Sequence, residues 1–109
     1  MPFLESSGTQ TAVISTEHTL VSITTNKTLL LVVDLINMVA SDTTELRIKT
    51  KVLSGGVLRT VYYQRFVNAQ AADDIISVSI PLPSDIQADF TLKQTAGTGR
   101  NYPWKVLSI

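Results

Sequence analysis

The chain has 109 residues, enough for one domain with a single modest core and too few for two. Apolar residues make up 44% and charged residues 17%, the balance of a folded protein and not of a disordered one. Nine basic residues offset nine acidic ones and cysteine is absent, so no global field pulls toward nucleic acid, and disulfides, thiolate metal sites and thiol nucleophiles are excluded.

Residues 1–7 place Phe3 and Leu4 ahead of Glu5-Ser6-Ser7 and read as a flexible arm that orders on a partner, with residues 8–109 forming one domain. No basic segment leads into an apolar core there, so a cleaved secretory signal is not expected. Gly8 to Ile14 and Glu17 to Ile23 are Thr-rich and β-branched, and Thr24 to Lys27 form the turn that follows. Thr28 to Leu35 is a near-continuous apolar run, as expected of a strand covered on both faces. The greasy stretch that contains it is about half a membrane span and is interrupted by Asp34, so no membrane partner is expected. Asn37 to Asp42 reads as a loop with room for one helical turn around Met38.

Glu45 to Val67 is the strongest local signal: two β-rich runs joined by Gly55-Gly56, a pair able to take the positive φ of a tight turn. A two-residue turn pairs Ile48 with Tyr63, Lys49 with Tyr62 and Thr50 with Val61. That register puts Leu46, Ile48, Val52, Val61 and Tyr63 on the core face, with Arg59 and Arg65 at its margins. Outward, Arg47, Lys49 and Lys51 form a basic ladder flanked by Tyr62. Arms this long cannot be wholly covered by one small sandwich, so the ribbon must project, bend or meet another subunit.

Asn68 to Asp74 is a polar loop, and Ile75 to Ile80 a strand ended by Pro81 and Pro83. Ile86, Ala88, Phe90 and Leu92 alternate inward against Gln87, Asp89, Thr91 and Lys93; Gly97-Thr98-Gly99 turns the chain, and Tyr102 to Ile109 closes it. The result is all-β: an antiparallel sandwich of about eight strands, jelly-roll-like, with one long Gly-Gly hairpin. An immunoglobulin-like sandwich or a small barrel fits the same count.

Little here points to catalysis. His18 is the sole histidine, which rules out a two-histidine metal site within one chain. Asp73-Asp74 lacks the interleaved oxygen ligands of a calcium loop. Gly97-Thr98-Gly99 with Arg100 looks like a phosphate-binding turn but sits between strands, where no helix amides converge. No enzyme activity, metal or cofactor is expected. The basic ladder reads as a solubilising face in preference to a nucleic-acid patch. Tyr102, Pro103 and Trp104 cluster after the glycine turn; Trp104 reads first as an inter-sheet residue, and with Tyr102 as a sugar platform if both are exposed.

LLLVVDLINMVASDTTELRIKTKVLSGG, the Tyr-rich second arm and FTLKQTAGTGRNYPWKVL together resemble small uncharacterised proteins of tailed bacteriophages. The resemblance runs from about Gly8 onward and carries no catalytic motif. It implies a structural component of the virion, made in the host cytoplasm: a capsid decoration protein or another head or tail accessory. Its expected partners are other virion proteins such as a major capsid protein and further copies of itself, a trimer first. The expected contact residues are Arg47, Lys49, Lys51, Tyr62, Tyr102 and Trp104, with Phe3 and Leu4 on the arm. The alternative is a carbohydrate-binding β-sandwich module using exposed aromatics.

Overall fold

The computed structural model describes residues 2–71 and 75–109, so Asp73 and Asp74 lie outside the described residues. Among those described there are nine strands and no helix: β1 (Phe3–Thr11), β2 (Glu17–Ile23), β3 (Lys27–Asp34), β4 (Thr43–Thr50), β5 (Arg59–Val67), β6 (Ile76–Val78), β7 (Leu82–Ser84), β8 (Ala88–Ala96) and β9 (Asn101–Ser108). All pairings are antiparallel. The first sheet runs β1-β9-β3-β6, with β7 also on β3; the second runs β2-β8-β4-β5. Residues 3–7, expected as an arm, form the first half of β1 on β9. Around Met38 the chain makes successive turns and no helix, with Met38 itself buried.

Alternation decides the core. Leu29, Leu31 and Val33 of β3, Leu46 and Ile48 of β4, Ala88, Phe90 and Leu92 of β8, and Tyr102 and Val106 of β9 all point between the sheets and are buried. Strand β3 is covered on this side alone: Leu30, Val32 and Asp34 face outward and are only half-buried. The expectation of cover on both faces therefore fails, because among the described residues no strand lies over the outer face of the first sheet.

The hairpin forms, in a different register from the one expected. Ile48 pairs with Tyr62, Arg47 with Tyr63 and Glu45 with Arg65, and the turn widens to the eight residues 51–58. Neither Gly55 nor Gly56 has positive φ, so the chain reverses without a two-glycine turn. One residue of slip exchanges the faces of β5. Tyr62 and Phe66 pack on the core, while Tyr63 and Arg65 point out and Val61 and Val52 are exposed. The observed register sets Arg65 against Glu45 and Arg47 against an aromatic ring, which is favourable cross-strand chemistry.

Bulges mark three of the four sheet edges. Glu5 is the extra residue in β1, Leu20 in β2 and Val61 in β5; the fourth edge, along β3, is made of the three-residue strands β6 and β7.

Candidate protein interaction surfaces

The outer face of the second sheet is a mosaic of paired charges. Lys49 meets Glu17 at 2.9 Å, and Arg47 meets Glu45 at 2.9 Å while its guanidinium lies 4.8 Å above the centre of the Tyr63 ring. The Tyr63 hydroxyl donates to the second Glu45 oxygen at 2.9 Å. Partial burial pushes the Glu45 carboxyl up, but Tyr63 and Arg47 outweigh it and hold it below its usual value; for Glu17, Lys49 does the same against the same opposing cause. The ladder Arg47 and Lys49 is thus neutralised by carboxylates from its own sheet and offers no polyanion site. Lys51 falls beyond β4, in the loop. Tyr62, expected outside, is half-buried against the core on the opposite face.

Tyr102 is also not a contact residue. It is 0% exposed, its hydroxyl 2.8 Å from Thr44 Oγ1 and donating to Gln94 Oε1 at 2.9 Å. Trp104 points inward as well, packing on the core with its indole beneath β1, where a Cβ on Gly8 would come within 3.3 Å of the ring. Glycine at position 8 leaves room for that ring. No sugar platform can form from these two residues.

The turn 97–99 does hold an anion, one supplied by the chain itself. The Asp42 carboxylate is buried and accepts from the Val39 amide at 3.0 Å, the Thr98 amide at 3.3 Å and Arg100 Nε at 3.0 Å. Burial pushes this carboxyl up, but those donors prevail and hold it below the usual aspartate value. Gln94 ties in the remainder, donating to the carbonyls of Ala96 and Thr98 and accepting from the Arg100 amide and Tyr102. Asn68, at φ 65°, donates its amide to the Asp42 carbonyl at 2.8 Å. Three loops, β3–β4, β5–β6 and β8–β9, are clamped at this end of the sandwich. His18 is spent nearby on structure, Nε2 accepting from the Val13 amide at 3.0 Å. Among the described residues no three His, Cys, Asp or Glu side chains converge on a metal position.

The other end is bare. Thr50 pairs with Ala88 and Ile23 with Ala88, and the short connection from Ile23 to Lys27 brings the starts of β3 and β1 to that same end. The β4–β5 loop exposes Val52 to 86%, Leu53 to 72% and Val57 to 68%, with a turn closed by the Gly56 amide on the Leu53 carbonyl at 2.9 Å. Phe3 is 59% and Leu4 61% exposed at the matching end of the first sheet. Sequence reasoning missed the loop residues by assigning Val52 to the core. The available signal was apolar residues on both sides of Gly55-Gly56 without polar alternation, at the tip of a ribbon too long to be covered. No protein-family model matches the chain, and no curated protein or solved structure is detectably similar to it.

Proposed function

We propose that the protein is a non-enzymatic structural component of a tailed-phage particle, a capsid decoration protein or other head or tail accessory that packs against neighbouring virion proteins such as a major capsid protein. Synthesis in the host cytoplasm and residence in the virion follow from that reading. The sequence resemblance is one support. Strand order is another: β1-β9-β3-β6 over β2-β8-β4-β5 is read here as two Greek keys closed into a jelly roll, an architecture used by viral capsid and lectin domains. The glycan-binding alternative lacks its paired aromatic platform, because Tyr102 is enclosed.

The observation that carries the proposal is the bare apolar end. Val52, Leu53 and Val57 add nothing to this chain's own core, and covering one such side chain is worth about 1.5–3 kcal/mol. Repeated over equivalent sites on a shell, contacts of that size accumulate through multivalency.

The test adds labelled protein to shells assembled from the major capsid protein of the same genome, and to purified tails, and sediments the particles. Wild-type protein is expected to co-sediment at a fixed ratio. The triple variant Val52→Ser, Leu53→Ser, Val57→Ser should bind about 100-fold more weakly while its folding stability moves little, as exposed positions allow. Wild-type protein left in the supernatant with both heads and tails would sink the proposal.

A further inference from the structure

We propose that the outer face of the first sheet is a self-association surface on which a second copy of this chain packs about a two-fold axis. The two outer faces of the sandwich differ sharply. The second sheet turns Glu17, Asp89, Lys93, Glu45, Arg47, Lys49 and Arg65 outward, opposite charges set side by side along the ladders. That is a face built for water. On the first sheet, the cross-strand row Leu4–Leu107–Leu30 is followed by Val32 beside Val78, and then by Ile76 beside Asp34. Leu4, Val78 and Ile76 are each more than half exposed, and among the described residues no strand covers them. With strands about 4.8 Å apart and successive rows about 6.8 Å apart, these six apolar positions cover on the order of 200 Å² of the face.

Charge identifies the occupant. Lys105, beside Val32 on β9, and Asp34 are the charged side chains within this patch. Neither belongs to an ion pair among the described residues; the Asp34 carboxylate accepts only the Ile36 amide, at 3.0 Å. Together with Pro103 and Ile76 they border a shallow depression of about 440 Å³. A partner of uniform charge satisfies one of the two and opposes the other. A second copy turned about an axis in the plane of the face satisfies both, Lys105 of each meeting Asp34 of the other. Val32, opposite Lys105 and two residues before Asp34 on β3, then falls near the axis against its own counterpart. A face that pairs with itself closes at two copies, in place of the trimer expected from the sequence.

The experiment is sedimentation of the full chain from about 1 μM to about 1 mM, a range set by a face too small for the stable interface class and suited to a weak, reversible pair. A reversible monomer–dimer equilibrium is expected. Val78→Glu should weaken it at least about tenfold, and so should Lys105→Asp or Asp34→Lys alone, each of which leaves the face with a single sign of charge. The double variant Lys105→Asp, Asp34→Lys should recover the dimer to within about threefold of wild type, which also shows that the single variants did not merely misfold. Monomer at every concentration, a trimer or larger ring, or a dimer indifferent to these changes would each overturn the proposal. None of those results bears on particle binding, which is read separately by co-sedimentation.

Discussion

Replacing Asp42 by alanine is expected to destabilise the protein by about 3 kcal/mol in urea unfolding, the order expected when two backbone amides lose their acceptor. The substitution strands the Val39 and Thr98 amides and releases Arg100, all of which converge on the one carboxylate. Unlike Asp42, Arg100 is partly exposed, with 30% of its side chain accessible, so the loss arises mainly from the unpaired amides and not from a buried cation. The variant also changes the acid limb. A carboxyl held below its unfolded value contributes stability that is complete above about pH 4 and is lost as pH falls through the folded value. Alanine removes that contribution. Glu5, Glu17 and Glu45, also held low, leave a shallower acid dependence behind. An acid limb identical in the variant and the wild type would count against the clamp.

Gly97→Ala should cost a similar amount, about 3 kcal/mol, by a different route. Gly97 sits at φ 86°, where a Cβ is strained, and that Cβ would overlap Asp42 Oδ1 and lie 2.9 Å from the Asp42 Cα. The turn must then move and surrender its bond to the carboxylate. Because both substitutions break the same contact, the double variant Asp42→Ala, Gly97→Ala should fall short of their sum. Gly55→Ala is the control. Gly55 lacks positive φ and a Cβ there meets nothing within 4 Å, so the substitution should be neutral or slightly stabilising. Equal losses at Gly55 and Gly97 would refute this account of the two turns.

What could be read from the sequence was whatever depends on near neighbours. The inward sets Leu46 and Ile48 of β4, and Ala88, Phe90 and Leu92 of β8, follow from period-two alternation and are all buried. The face of β5 depends instead on hairpin register, which Gly55-Gly56 seemed to fix and a wide loop with an extra residue at Val61 set differently; Tyr62 and Tyr63 exchanged places as a result. Tyr102 was readable in principle, since it shares parity with Trp104 and Val106, but reading the aromatics as a local cluster hid their strand position. The Asp42 clamp was not readable, because its side-chain partners Thr98 and Arg100 lie 56 and 58 residues away. The uncovered outer face of β3 was hidden by its own composition: an apolar run looks the same whether its second face meets this chain or a different one.

The extra residues in β1, β2 and β5 have a consequence for how copies can accumulate. An unblunted edge strand is a template to which another strand adds, and another after it, so growth has no natural stop. Here three edges are bent by an inserted residue and the fourth consists of two three-residue strands, Ile76–Val78 and Leu82–Ser84. Strand-by-strand extension is discouraged on every side, leaving faces and strand ends as the available points of attachment. A face that meets its own counterpart closes at a fixed size, so a protein of this build can be produced at high concentration with little tendency to run on into fibres through its strand edges.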